Sequence, residues 1–211
     1  MEFEKNVLTE IFPVLVDSIC LDARKMVPPP PPPKGAYKSK DGSFGTFDSL
    51  KMTKNEKKEY NNWKNENERL KTDTSKVIIA LNPFLEKIKN SNLKAIFKNE
   101  FNVSEIYKSK FKEVTKFRFD FEKIKLNQNF KIKNLNEFPK TENVFLYDLK
   151  YNFVFSGILE VSRIEFDSSR KFAVFETGFS YCGSCGRGYL IYLRKENNKW
   201  KIYKMEDTWI S

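Results

Sequence analysis

Val7, Leu8, Ile11, Phe12, Leu15, Val16 and Ile19 return at intervals of three and four, so residues 6–26 are expected to form a helix with one apolar face. Pro13 falls inside that repeat and either kinks the helix or opens a second one from its first turn. The run Pro28–Pro33 ends the pattern and imposes a polyproline II rod of roughly 19 Å. Such a rod is expected to serve as a stiff spacer or as a strap over the chain's own aromatics. Residues 35–49 are polar and contain glycine, which predicts a loop.

Thr53-Lys54-Asn55-Glu56 has the form of a capping box and predicts a helix to about Lys71, with a thin apolar stripe of Tyr60, Trp63 and Leu70. Val77–Leu81 is an uninterrupted apolar run closed by Asn82-Pro83, hence a buried strand. Residues 91–115 are expected as two short helices, one with Leu93, Ile96 and Phe97, the other with Ile106, Phe111 and Val114. Phe117–Phe121 alternates aromatic and charged positions, which predicts a strand with one aromatic face.

The last third is extended. Gly157–Phe166, Phe172–Tyr181, Gly188–Glu196 and Trp200–Ile210 are rich in aromatic and β-branched residues. Asp167-Ser168-Ser169-Arg170 and Glu196-Asn197-Asn198-Lys199 supply turns, and the Asn-Asn pair tolerates the left-handed conformations of a tight hairpin. The fold class is therefore α+β: N-terminal helices and a proline-rich strap packed on a C-terminal curved antiparallel β-meander. Residues 1–33 are expected as a helix and polyproline segment and residues 34–211 as the α+β domain, together one structural unit.

Composition changes the picture little. The formal charge of +10 comes from 38 basic and 28 acidic side chains. It concentrates in residues 34–150, where 26 basic against 16 acidic side chains leave +10. Lys and Asn are abundant throughout and the signs are interspersed, so a compositional bias outweighs nucleic-acid binding, for which no named module fits. No run of about 18 apolar residues exists to span a bilayer. Met1-Glu2-Phe3-Glu4 has neither a basic nor an apolar leader region, so no signal peptide is expected there.

Candidate chemistry is confined to Cys182-Gly183-Ser184-Cys185-Gly186-Arg187-Gly188, between two strand-like segments. The chain has no histidine, so the usual neutral-pH base and commonest metal ligand are absent. A redox pair wants its first cysteine at a helix N-terminus, and none starts here. As metal ligands, Cys182 and Cys185 are weak candidates, because zinc wants four ligands and only Cys20 remains. A disulfide pinning the hairpin tip, or reduced thiols in a structural loop, complete the alternatives. Carboxylates on strands (Glu160, Glu165, Glu176) or flanking the aromatic strand (Asp120, Glu122) are expected to be solvated. Tyr181, Tyr189, Tyr192 and Trp200 could stack a ligand, or simply fill the core. Phosphate-cradling glycine loops and nucleophile elbows are absent, so no catalytic residue and no cofactor is expected.

Glu10-Ile11-Phe12-Pro13, Val16-Asp17-Ser18, Pro28–Pro33, Ser162-Arg163-Ile164 with Phe166, Cys182–Gly188, Asn198-Lys199-Trp200 and Thr208-Trp209-Ile210-Ser211 resemble a family of uncharacterised proteins from Flavobacterium-like bacteria. The resemblance touches both ends of the chain, while the Lys-rich middle matches loosely. It implies export to the cell envelope or periplasm, with a lipoprotein-type anchor upstream, and favours the Cys182–Cys185 disulfide. The leading expectation is a non-enzymatic envelope protein that binds a protein or small ligand on its sheet face. The alternatives are an intracellular immunity or inhibitor protein, and a thiol redox or metal-dependent activity at Cys182 and Cys185.

Overall fold

In a computed structural model of the chain, residues 2–26, 52–88, 92–107, 116–126, 129–140 and 146–211 are described, and the proline run lies outside them. Two compact units emerge: Met1–Leu21 with Lys76–Ser211, and Asp22–Ser75. The boundary drawn after Pro33 falls inside the second of these.

In the larger unit, helix α1 (Glu2–Ile19) passes through Pro13 as one element, beginning earlier and ending sooner than the expected residues 6–26. The helix buries Val7, Leu8, Ile11, Phe12, Leu15, Val16 and Ile19 on one face. Its first turn also buries Glu4, whose carboxylate accepts from Arg163 Nη2 (3.0 Å) and the Ile164 amide (2.8 Å). Phe12 meets Phe119 edge-on at 5.5 Å.

The smaller unit carries α2 (Lys54–Thr72), opened by the expected capping box: Glu56 Oε2 accepts from the Thr53 amide at 2.7 Å, and Thr53 Oγ1 from the Glu56 amide. None of its residues is buried. Asp22 caps a 3-10 turn, Ala23–Lys25, and Arg24 donates to the Asp73 and Ser75 carbonyls, tying the two ends of this unit together. The Arg24 hydrogen bond holds the Asp22 carboxyl below its ordinary pKa.

The strands of the larger unit are β1 (Val77–Leu81), β2 (Phe84–Glu86), β3 (Lys116–Arg118), β4 (Phe130–Asn134), β5 (Phe155–Val161), β6 (Glu165–Phe166), β7 (Phe172–Cys182), β8 (Cys185–Glu196) and β9 (Lys199–Ile210). Helix α3 (Leu93–Phe101) follows β2. The main sheet runs β4-β1-β5-β7-β8-β9, with β6 also paired to β7, while β2 and β3 form a small antiparallel pair. From β5 onward the pairing is the antiparallel meander that the turns implied. The fold is α+β, with its helices ahead of an antiparallel-rich sheet.

β1 pairs in parallel with both β4 and β5, so the expected antiparallel meander is part of a larger mixed sheet. This explains its unbroken apolar run, since a strand inside parallel neighbours is covered on both faces. Ile106 is not helical: it bridges to Asp167, while residues 108–115 lie outside the described residues. The strand expected from Gly157 to Phe166 breaks at 162–164, where Glu4 captures the Ile164 amide and Ser162 Oγ accepts from the Glu176 amide (2.9 Å). The Asn197-Asn198 turn is as expected, with φ of 48° and 62°.

Register separates the two faces of the meander. Val174, Leu190 and Tyr192 share one face, where Phe97 of α3 and Ile88 cover them. Ala173, Leu193 and, across β9, Trp200 share the other. There Phe3 of α1 and Phe166 close on the Trp200 ring, at 6.3 and 5.6 Å.

Candidate functional site

α3 covers only part of its face. Toward the hairpin tip the same face continues as Glu176 and Gly178 on β7, Glu160 beside Gly178 on β5, and Gly188 and Gly186 on β8. Alternation along a strand makes these neighbours. Without side chains the three glycines leave a bare floor, and Trp209 of β9, opposite Gly188, lies across it. A Cβ on Gly188 would fall 1.9 Å from the indole Nε1, and one on Gly186 2.9 Å from the ring. One indole face is thus used up by backbone, yet Trp209 remains 45% exposed.

In front of the indole opens a groove of roughly 470 Å³. Phe84 and Glu86 of β2, Glu160, Glu176 and Trp209 line it, with Asn82, Ser162 and Thr208 as neutral polar groups. β2 is fixed there because Glu86 bridges to Ser162 and its carbonyl accepts from the Arg163 amide (2.7 Å). Gly157 closes the far side of β5 at φ +152°, where any side chain would meet the Ser180 carbonyl and the Phe179 ring.

The cysteine motif sits at the end of this floor. Cys182 and Cys185 face each other as the last register pair of the β7–β8 ribbon, with their sulfurs at disulfide distance and Cα atoms 4.8 Å apart. Only Gly183 and Ser184 form the turn, and Gly186 and Gly188 are strand residues of β8. Gly186 exchanges both backbone hydrogen bonds with Ser211, which holds the end of β9 against the ribbon. Among the described residues no three cysteine, aspartate or glutamate side chains converge to hold a metal ion. Cys20 is buried, and its surroundings push the thiol pKa strongly up.

No family model, curated protein or solved structure matches the chain.

The four aromatics singled out in the sequence do not meet at one place. Trp200 is 6% exposed and packed under α1. Tyr192 is buried beneath α3, and its hydroxyl donates to Glu206 Oε2 at 2.5 Å. Burial first, and Glu206 second, raise its pKa well above that of a free phenol. Lys204 then bridges Glu206 (2.7 Å) and Glu100 (2.5 Å), fastening α3 to β9. Tyr181 stacks on Phe179 at 6.1 Å, and Tyr189 bonds Arg187, both half-buried on the opposite face. Of the carboxylates, Glu160 and Glu176 line the groove, whereas Glu165, Asp120 and Glu122 do not.

Trp209, Phe84 and Glu86 are the groove residues that sequence reasoning missed. A signal was present in Gly178, Gly186 and Gly188, since glycine inside a strand marks close approach of another group. The register needed to read it comes only from the paired strands.

Proposed function

We propose that this chain is a non-enzymatic cell-envelope protein that binds a ligand on its sheet face, in the groove beside Trp209. The observation that carries the reading is the indole held flat on three glycines with its outer face free of the core. A large aromatic surface left half in water costs solvation that a core position would have avoided, and aromatic platforms of this kind favour ligand contact. The groove volume lies within the usual range for small-molecule sites. Placement in the envelope rests on the sequence resemblance and on the cysteine pair, because disulfides persist in oxidising compartments. No described helix is long and apolar enough to cross a membrane.

Gly188→Ala tests the site. The new methyl collides with the indole, which is the outer part of a movable side chain, so Trp209 should swing off the floor while the fold survives. A fragment screen followed by the Trp209 indole N–H resonance is expected to give hits with the wild type and to lose them in Gly188→Ala. If hits map elsewhere, or bind the variant equally well, the groove is not the site.

The clasp has its own expected result. Closing a loop as short as 182–185 restrains the unfolded chain by only about 2 kcal/mol. Urea unfolding with and without reductant should differ by about that much, and Cys182→Ser should be neutral under reductant. Equal stability in both conditions would leave the pair without a structural role and remove one support for the envelope.

A further inference from the structure

We infer that Cys182 and Cys185 form a redox switch for the Trp209 platform: their disulfide holds the indole on its glycine floor, and reduction to two thiols releases it. Control of ligand binding by that release rests on the reading that the groove is a binding site. The release itself stands apart from it.

The coupling runs through Gly186. Cys185 precedes it directly, and its register partner Ser180 is separated from Cys182 by one residue, Tyr181, at a register shift. The disulfide therefore closes the ribbon immediately beyond the Ser180–Gly186 pair. Gly186 also exchanges both backbone hydrogen bonds with Ser211, at 3.1 and 3.3 Å, and lies under the Trp209 ring. On β9 a second register shift, at Thr208, sets Trp209, Ile210 and Ser211 apart from the rest of the strand. Past that shift their partners are Gly188, Arg187 and Gly186, all close to Cys185 in sequence. β9 ends the main sheet, so among the described residues β8 alone pairs with it there. So short a segment lies at the low-stability end of local opening. A bond closing a loop as small as 182–185 shifts such an equilibrium by roughly twentyfold, enough to carry the indole from mostly docked to mostly free.

The bond is open to exchange. Gly183 and Ser184 are exposed and both cysteines are half-buried, so a thiolate can reach the tip. A dithiol reductant attacks one sulfur, the Cys182–Cys185 bond breaks, and a mixed disulfide forms. The reductant's second thiol then closes its own disulfide, and its two electrons and two protons end on Cys182 and Cys185. Exchange with an oxidised dithiol reverses the step. Cys20, buried in the core, takes no part. A chain made among reduced thiols thus sets its platform only where disulfides persist.

The test follows the Trp209 and Trp200 indole N–H resonances of the full chain, first air-oxidised and then reduced with dithiothreitol. In the oxidised chain the stacked ring should shift the Gly186 and Gly188 α protons upfield. On reduction those shifts should collapse and the Trp209 resonance should move to that of a free indole. Trp200, packed under α1, should stay in place and report an intact fold. The double variant Cys182→Ser, Cys185→Ser should give the reduced spectrum with or without reductant. Fragments that bind the oxidised chain should bind the reduced one about tenfold more weakly, because the competent fraction falls. Three titratable thiols in the air-oxidised, denatured chain, or a Trp209 resonance unmoved by reduction, would overturn the switch. A Trp200 resonance that moves as well would overturn it in favour of a general brace. Fragments binding both forms equally would overturn control of the groove while leaving it a site. If no fragment binds either form and the Trp209 shift is present, the binding-site reading is overturned and the release is upheld.

Discussion

Asp167→Ala should remove about 3–5 kcal/mol of stability, although the residue lies in a surface turn. Its side chain is 1% exposed and its carboxylate accepts from the amides of Lys171 (2.7 Å), Phe172 (2.7 Å) and Ser169 (2.9 Å), and from the Ser169 hydroxyl. The turn it braces contains Arg170 at φ 54°, a conformation most residues avoid. The Asp167 amide also bonds the Phe172 carbonyl (3.1 Å), and Ser168 reaches Glu105 (3.0 Å), so the turn aligns β6, β7 and the segment after α3. Hydrogen bonds to an ionised acceptor each contribute about 1.5–3 kcal/mol, and abandoned buried donors add their own cost. Water can reach the Ser169 and Lys171 amides, which keeps the total below the simple sum. Asp167→Asn keeps one acceptor oxygen and should lose less. Urea denaturation measures both variants, and a loss under about 1 kcal/mol for the alanine variant would show that the carboxylate is dispensable.

Trp200→Ala should cost a similar amount, about 3–5 kcal/mol, as large-to-small changes in a filled core do. The indole is enclosed between Phe3 of α1 and Phe166 of β6, both meeting it edge-on. Phe3 in turn packs on Phe166 at 5.1 Å, so the three rings form one unit and their losses should not add. Phe3→Ala in the Trp200→Ala background is expected to cost clearly less than Phe3→Ala alone. Additive losses would mean that helix and sheet are held by separate contacts, and a near-neutral Trp200→Ala would place the ring at the surface.

These two residues also mark where the sequence was readable. The hairpins of the last third were legible because their partners are neighbours in the chain and their turns have chemical signatures: Asn197-Asn198 takes up left-handed backbone, and Asp167 bonds forward into its own turn. The capping box at Thr53 was legible for the same reason. β4 was not. Phe130-Lys131-Ile132-Lys133-Asn134 does alternate, but it is short, Lys-rich and paired in parallel to a strand some fifty residues earlier. No local rule announces such a partner. β2 hides behind Pro83 and is only three residues long. The break at 162–164 depends on Glu4, about 160 positions away, and could not be seen from the strand's own residues.

The groove shows the same limit at the level of chemistry. Glu160 and Glu176 were recognisable as strand carboxylates, but nothing in their spacing placed them on one floor with Trp209. That floor exists because Glu160 is level with Gly178 and Gly178 with Gly188, two strand registers in succession. Tyr192 and Trp200 have the composition of a stacking surface, and tertiary packing assigned them to the interior.

The pairing of α1 with the last strands gives its apolar stripe a late partner. Phe3 and Glu4 meet Arg163, Phe166 and Trp200, with Glu4 and Arg163 separated by 159 positions in the chain. Until those distant segments arrive the stripe stays partly uncovered, a state that invites chaperone capture or aggregation. In refolding from urea, amide protection in the helix should therefore rise together with that of β9 rather than ahead of it.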